Sequence, residues 1–381
     1  MERIILFSKT KCKVCGEMKE GISSYLGVCR DCIREKWESS KELIFKAHFE
    51  ARAKMNLPAI PPKDPKGVKC KICAHECQIP EGGVGYCGLS KNIKGKLVRD
   101  LGTEKMGLIY VYKDFHPTNC VAQPFCAGGT GSGYPKYSKS KSGPEYGYLN
   151  ASLFCGTCCY HCLYCQNTSW HRMVKEKKEI MKTEQLVEWL LSEEKFTCMC
   201  WFGGSPEPQM PFVYEVSKRV FEEAKKRGRI FRVCLECNGN FSWPWLEKIA
   251  QICLESGGGI KFDLKAWNEN LNFALCGVSN KKTFENFEKL VFYHKKRKEP
   301  PFLRASTLLV PHYIDENEIK KIAQFIASLD KTIPYSLLAF YPCYLFSDMP
   351  LTSREFALKC KEIAQKAGLK RVRIGNLHLL C

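Results

Sequence analysis

The sequence predicts an α/β fold whose carboxyl-terminal part is a full or partial barrel of parallel strands. From Leu149 onward, short apolar segments alternate with longer amphipathic segments, and the helix starts carry capping residues such as Thr183 and Asp315. More than five such strand–helix units favour a barrel over an open sheet. Strands are expected near 149–154, 198–202, 230–235, 259–264, 303–310, 335–341 and 371–374, with helices near 183–194, 211–227, 243–256, 282–296, 315–329 and 352–367.

Length and composition are those of a globular protein. The 381 residues are 45% hydrophobic and 26% charged, and no apolar run approaches the roughly 18–20 residues that span a bilayer. Neither a signal peptide nor a prenylation motif is evident, which predicts a cytoplasmic location. The formal net charge is +19, and lysine-rich solvated helix faces cause such an excess more often than nucleic-acid binding does.

The 24 cysteines predict metal sites rather than disulfides, because the chain is large and its cysteines recur in C-x2-C clusters. The first cluster has the two-knuckle spacing of a structural zinc site. For the second, glycine-rich cluster, zinc is the first interpretation and an auxiliary iron–sulfur cluster is the alternative. The ligands would be Cys12, Cys15, Cys29 and Cys32 in the first cluster, and Cys70, Cys73, Cys77 and Cys87 in the second.

A central cysteine loop, within LFCGTCCYHCLYCQNTSW, follows the first predicted barrel strand. Its Cys158, Cys162 and Cys165 have the spacing C-x3-C-x2-C. Three thiolates can bind three irons of a [4Fe–4S] cluster and leave the fourth iron open to a substrate or cosubstrate. The alternative is a zinc site with His161 as the nearest fourth ligand, and two further thiols in the loop keep that alternative open.

Residues that follow the predicted strands should point into the mouth of such a barrel. Glycines there let the backbone approach a ligand closely, and charged side chains could bind a ribose or an ammonium group. Each residue alone could be a solvated rim position, but the series favours one binding site. Its members are Gly203 and Gly204 after the second strand, Glu236 after the third, Asp263 and Lys265 after the fourth, Arg304 in the fifth, and Phe340 and Tyr341 after the sixth.

With these motifs the chain resembles radical S-adenosylmethionine (SAM) enzymes. The cysteine loop ending in CQN, the segment EGGVGYCGLSKNIKGKL and the closing segments LLAFYPCYLFSDMPLTSREF and AGLKRVRIGN are similar to the AmmeMemoRadiSam family, relatives of pyruvate formate-lyase activating enzyme. The resemblance covers about residues 68–381 and leaves the first, zinc-ribbon-like cysteine module outside it. It implies a partial (β/α)6-type TIM barrel preceded by small metal-binding modules.

The resemblance also implies a cofactor set and a reaction class. A [4Fe–4S] cluster on the three loop cysteines would bind SAM, and an electron from a donor such as ferredoxin or flavodoxin would cleave the sulfonium. The 5′-deoxyadenosyl radical so formed would abstract hydrogen from a substrate. By this resemblance Gly203, Gly204 and Ser205 would bind the methionine end of SAM, and Glu236, Asp263, Lys265 and Arg304 would complete the cosubstrate site.

The expected substrate is a polypeptide, through glycyl-radical activation or side-chain modification. One alternative is a cobalamin-using radical methyltransferase or carbon–carbon bond former. An alternative of another class is a non-catalytic zinc-ribbon protein that binds nucleic acid or a protein. The expected regions are a four-cysteine module (1–35), a helix and proline-rich linker (36–66), a second four-cysteine module (67–113), a loop region that would cover the active site (114–148) and the barrel (149–381).

Overall fold

The structure is a computed structural model that describes residues 9–381; residues 1–8, the start of the expected first module, lie outside the described part. The strands are β1 (Thr10–Lys11), β2 (Met18–Lys19), β3 (Val68–Lys69), β4 (Gln78–Ile79), β5 (Ser90–Ile93), β6 (Lys96–Arg99), β7 (Met106–Phe115), β8 (Leu149–Cys155), β9 (Ile180–Lys182), β10 (Phe196–Gly203), β11 (Arg232–Cys237), β12 (Gly259–Asp263), β13 (Leu303–Leu309), β14 (Tyr335–Ala339) and β15 (Val372–Gly375).

The helices surround this set of strands. They are α1 (Arg30–Glu35), α2 (Trp37–Ala53), α3 (Ala127–Thr130), α4 (Ser169–Glu176), α5 (Thr183–Ser192), α6 (Met210–Lys226), α7 (Trp243–Ser256), α8 (Glu269–Cys276), α9 (Lys281–Lys296), α10 (Glu316–Leu329) and α11 (Arg354–Lys366). In the part of the chain that the structure describes, no helix is long and apolar enough to cross a membrane.

One nine-stranded sheet organises the molecule, in the order β15-β14-β13-β12-β11-β10-β8-β7-β9. Strand β8 and strands β10 to β15 are mutually parallel, whereas β7 pairs antiparallel with both β8 and β9. Because the two edge strands β15 and β9 are not paired with each other, the sheet curls without closing. The structure therefore confirms the predicted partial barrel, with six helical crossovers between seven parallel strands.

The crossover helices form where the sequence has helical periodicity. In α10 the buried side chains of Ile319, Ile322 and Ile326 recur three and four residues apart, so they form one apolar stripe against the sheet. Asp315 caps this helix by accepting a hydrogen bond from the backbone N–H of Glu318 at 2.9 Å. The other crossover helices have the same apolar periodicity, which is why their predicted bounds lie close to the observed ones, although α6, α7 and α9 have no side-chain cap.

The helix expected ahead of the proline-rich linker is α2, and Lys36, with φ −122° and ψ 46°, separates it from the shorter α1. Four short helices were not predicted, since each has at most eight residues: α1, α3, α4 and α8.

Both amino-terminal cysteine modules pack against the carboxyl-terminal ends of the barrel strands. In the first, the Arg34 guanidinium donates to Asp315 at 2.8 Å and to Glu318 at 3.0 Å. In the second, the backbone oxygen of Cys87 accepts a hydrogen bond at 2.8 Å from the hydroxyl of Thr157 in the central cysteine loop. The modules therefore support the loops that form the barrel mouth.

The loop over residues 114–148 lies at the other end of the barrel. Glu145 forms a buried ion pair with Arg232 at the start of β11, at 2.7 Å, and His116 lies 3.5 Å from the sulfur of Cys198 near the start of β10. The expectation that this loop covers the active-site mouth was wrong. It instead closes the amino-terminal end of the barrel, because its buried carboxylate, Glu145, pairs with Arg232 at that end.

Candidate active site

The three cysteines of the predicted cluster motif line a single pocket at the carboxyl-terminal ends of the parallel strands. Cys158, Cys162 and Cys165 come from the loop after β8. Four of the residues predicted to bind the cosubstrate line the same pocket. They are Gly203 and Gly204 at the end of β10, and Asp263 and Lys265 at the end of β12.

Two hydrogen-bond donors hold the sulfur of Cys158. The N–H of Tyr160 donates to the Cys158 sulfur at 3.3 Å, and the side-chain amide of Asn238 donates to it at 3.4 Å. A Cβ on Gly204 would lie 2.3 Å from the carbonyl oxygen of Thr157, so only glycine allows β10 to approach the cysteine loop this closely. These contacts fix the loop before any metal binds.

The other thiols of the loop point away from the pocket. Cys155 is fully buried on β8, and the sulfur of Cys159 lies 3.3 Å from the hydroxyl of Ser205. Both ring nitrogens of His161 have hydrogen-bond partners. Its Nδ1 lies 3.3 Å from His48 Nδ1, and its Nε2 lies 3.1 Å from the Tyr344 hydroxyl. The zinc alternative for this loop therefore loses its expected fourth ligand.

The spacing of the three pocket cysteines also favours a cluster over a single ion. Among residues 9–381, two groups place three or more ligand atoms within 4.8 Å of one another, and the trio Cys158, Cys162 and Cys165 is not one of them. The sulfurs that bind different irons of a [4Fe–4S] cluster are farther apart than those that bind one zinc ion. The residues present thus fit the cluster that the motif predicts.

A network of ion pairs runs from the barrel interior into the pocket. The Asp263 carboxylate accepts from Lys261 at 2.6 Å and from Lys265 at 2.7 Å. Burial alone would lower the pKa of Lys265, but the carboxylate of Asp263 outweighs it and raises that pKa well above its usual value. Burial would likewise raise the pKa of Asp263, and the two ammonium groups lower it instead. Both pocket residues are therefore charged at neutral pH.

Three predicted cosubstrate residues lie outside this pocket. The Ser205 side chain is buried and contacts Glu207 and Cys159, so it braces the loop instead of facing a ligand. Glu236 and Arg304 line a separate cavity deeper in the barrel. Since side chains alternate along a strand, Asn238 reaches the pocket at the end of β11, and Glu236, two residues earlier on the same face, lies one layer lower.

Two residues near the site, Glu207 and Cys276, were not predicted from the sequence. Glu207 is fully buried, and burial raises the pKa of its carboxyl to about 7 although it accepts a hydrogen bond from the backbone N–H of Gly239 at 2.8 Å. Its position between two prolines in the glycine motif was a usable signal. The Cys276 sulfur lies 3.5 Å from that of Cys162, and nothing in its local sequence indicated this.

The four sulfurs of the first cysteine cluster, Cys12, Cys15, Cys29 and Cys32, do lie within 4.8 Å of one another. They could hold one metal ion, and zinc as that ion stays a prediction. Within the described range 9–381 the second cluster does not meet this spacing, although all four of its cysteines are buried. The iron–sulfur alternative for that cluster therefore stays open.

Comparison with known proteins identifies the domain that carries the pocket. Residues 152–326 match the family model of the radical SAM superfamily. These residues form a radical SAM domain. The pocket cysteines Cys158, Cys162 and Cys165 lie within the matched range, and enzymes of this superfamily use a [4Fe–4S] cluster and SAM.

Relatives cover more of the chain. A Methanocaldococcus jannaschii protein with the provisional name of glycyl-radical enzyme activating enzyme is 28% identical over 56% of this chain and 72% of its own length. A second protein of that organism, uncharacterized, is 25% identical over 82% of this chain and 83% of its own length. Pyruvate formate-lyase-activating enzyme of Staphylococcus aureus is 25% identical over 52% of this chain and 76% of its own length.

Replacing Lys265 with Ala is expected to weaken SAM binding without removing iron. Lys265 touches the Asp263 carboxylate and lines the pocket. A charge-assisted hydrogen bond contributes about 1.5–3 kcal/mol, which corresponds to roughly 10- to 100-fold in Kd. Asp263→Asn should weaken binding less than Asp263→Ala does. Equilibrium binding of SAM to the anaerobic protein measures the effect, and an unchanged Kd for SAM in a Lys265→Ala protein with its full iron content would contradict this role.

Burial of His48, which contacts His161 of the cysteine loop, predicts that the protein is less stable in acid. Burial lowers the pKa of His48 to about 4, whereas an unfolded histidine titrates at about 6.5. As the pH falls from about 6.5 to 4, the unfolded chain binds a proton that the folded chain does not, so the free energy of unfolding decreases in that window. Above about pH 6.5 this loss is absent. His48→Gln should reduce this loss by roughly 3 kcal/mol. Denaturant unfolding at pH 7 and pH 4.5 tests it, and identical pH dependence in both proteins would refute it.

Proposed function

We propose that this chain uses a [4Fe–4S] cluster on Cys158, Cys162 and Cys165, together with SAM, to abstract hydrogen from a polypeptide. The outcome is a glycyl radical in a partner enzyme or a modified side chain. The observation that carries the proposal is that these three thiols, and neither neighbouring thiol of the loop, share a pocket with Gly203 and Lys265. The bound groups supply reductive cleavage of a carbon–sulfur bond to a 5′-deoxyadenosyl radical, with the electron from a donor such as ferredoxin or flavodoxin.

In this proposal the chain's own residues position the cosubstrate and keep the site dry. The backbone at Gly203 and Gly204 approaches the methionine end, and Asp263 and Lys265 bind its polar groups. Leu308 and Leu338 line the inner wall. An apolar wall excludes water, which would otherwise quench a reactive intermediate. The second amino-terminal module, with zinc or an iron–sulfur cluster, holds the cysteine loop in place together with α2, and the first module, with zinc, holds the start of α10.

A strip of aromatic side chains supports a polypeptide substrate. It runs through Phe154, Phe202, Tyr112 and Tyr110, with successive ring centroids 5.6, 6.2 and 6.1 Å apart. A Cβ on Gly203 would lie 2.6 Å from the Phe154 ring, so the strip begins beside the pocket. Tyr110 pairs directly with Phe154 across β7 and β8 and is 50% exposed, so the aromatic side chains form one patch between the pocket and the surface. An exposed aromatic patch beside the pocket suits contact with a polypeptide segment better than a small molecule that is fully enclosed.

The names of two relatives agree with this substrate class. The Methanocaldococcus jannaschii relative and the Staphylococcus aureus relative are both named as enzymes that activate another enzyme. Such activation removes a hydrogen atom from a protein backbone, which requires the site to admit a polypeptide segment.

Hydrogen transfer tests the substrate class directly. A perdeuterated cell extract would be separated into polypeptide and small-molecule fractions, and each would be incubated anaerobically with the enzyme, unlabelled SAM and a reductant. We expect deuterium in 5′-deoxyadenosine with the polypeptide fraction, and loss of the label after that fraction is digested with protease. Deuterium transfer from the small-molecule fraction alone would contradict the proposal. The Cys162→Ala protein, which cannot complete the cluster, is the matched control.

A further inference from the structure

A second group of potential metal ligands lies inside the barrel, below the active-site pocket. Cys120 comes from the loop that plugs the amino-terminal end, Cys200 from β10 and Glu236 from β11. Their ligand atoms lie within 4.8 Å of one another. The Cys120 sulfur is 3.1 Å from Oε1 of Glu236. Two sulfurs and one carboxylate oxygen at this spacing match the ligand set of a borderline-soft divalent ion.

The groups around the three ligands already hold them in place. The second carboxylate oxygen of Glu236 lies 3.3 Å from the Lys261 ammonium, which leaves Oε1 free to face the sulfurs. The backbone N–H of Ala122 donates to the Cys120 sulfur at 3.4 Å and orients it. Metal ligands are commonly oriented by such outer contacts.

Arg304 provides an independent indication of negative charge in this cavity. Its side chain lines the cavity and is only 3% exposed. Within the described residues, its Nε and Nη2 atoms have no hydrogen-bond partner. A buried guanidinium without a partner is costly. Two thiolates, one carboxylate and a divalent ion sum to about −1, a charge that the two buried cations lining the same cavity, Lys261 and Arg304, would offset.

The cavity around these residues is small. Its volume is about 40 Å³, and one water molecule needs about 10–15 Å³ of such space. An ion with bound water therefore fits among the three ligands.

We propose that Cys120, Cys200 and Glu236 bind a single divalent transition-metal ion, with zinc as the ion to be tested, inside the radical SAM barrel. Three protein ligands leave one tetrahedral position for water or another ligand. The site differs from both amino-terminal cysteine clusters and from the pocket of Cys158. It does not depend on the proposed hydrogen abstraction from a polypeptide.

Zinc binding by the full-length chain tests the site. Anaerobically purified protein would be stripped of weakly bound metal, supplied with Zn²⁺ and desalted, and its zinc would be counted by mass spectrometry. We expect Cys120→Ala, Cys200→Ala and Glu236→Gln each to bind about one zinc per chain less than the parent protein. The matched control is Cys253→Ala, which removes a buried cysteine of α7 outside the site and should bind as much zinc as the parent.

Two readouts separate loss of the site from misfolding. Glu236→Gln preserves side-chain volume, and the visible absorption of the [4Fe–4S] cluster should persist in it. In the parent protein, Zn²⁺ should protect Cys120 from alkylation, and this protection should disappear in Glu236→Gln. Zinc counts that are equal in the parent and all three variants would overturn the proposal. Loss of about four irons with sulfide, instead of one zinc, would overturn the assignment to a single ion.

Discussion

Replacing Cys158, Cys162 or Cys165 with Ala is expected to eliminate the [4Fe–4S] cluster and all SAM cleavage. Each replacement removes one of three iron ligands, and within residues 9–381 the other thiols of the loop face away from the pocket. Iron and acid-labile sulfide in the reconstituted protein measure the first effect. The matched control is Cys159→Ala, because the Cys159 sulfur contacts Ser205 and does not line the pocket, so this variant should keep iron and sulfide at the parent level.

Another residue could complete the cluster only if a cysteine replacement leaves iron and sulfide in place. If Cys162→Ala keeps a full complement of iron and sulfide, another residue completes the cluster. Cys276 is the residue to examine in that case, because its sulfur lies 3.5 Å from that of Cys162. The double replacement of Cys162 and Cys276 would show whether Cys276 substitutes as a ligand.

Replacing Arg52 with Ala is expected to destabilise the whole barrel mouth. Arg52 of α2 is fully buried, and its guanidinium stacks 3.5 Å above the Tyr86 ring. It donates to the carbonyl oxygens of Pro58 and Tyr86. Its removal leaves a cavity and unsatisfied carbonyls, at a cost of roughly 3 kcal/mol or more in the free energy of unfolding. Less iron should also be retained after reconstitution.

The control for Arg52 is Arg172→Ala, an exposed arginine on α4. Denaturant unfolding and iron content of both variants measure the difference. If Arg52→Ala unfolds at the same denaturant concentration as Arg172→Ala and retains its iron, then α2 does not support the cluster loop.

The sequence was sufficient for features whose signal is local. The seven parallel strands lie at or within a few residues of their predicted positions because each is a short apolar segment between amphipathic helices. Strand ends also located Gly203, Gly204, Asp263 and Lys265 correctly in one pocket, since the carboxyl-terminal ends of parallel strands meet at one face.

Features that depend on long-range packing were not predictable in this way. Cys120 and Glu236 are 116 residues apart in sequence, yet their side-chain atoms are 3.1 Å apart. Glu236 and Asn238 lie at different depths in the barrel. That depth depends on the tilt and length of the strand and not on residue type. The loop over residues 114–148 has no periodicity, so only its buried ion pair with Arg232 reveals which end of the barrel it closes.

The measurement that tests the account most directly is formation of 5′-deoxyadenosine by the full-length protein. The reconstituted enzyme would be incubated anaerobically with SAM and dithionite, and the nucleoside would be quantified by mass spectrometry beside the Cys162→Ala protein. The account predicts time-dependent 5′-deoxyadenosine from the parent protein and none from the variant. A parent protein that holds its cluster and binds SAM, yet forms no more 5′-deoxyadenosine than Cys162→Ala, would contradict it.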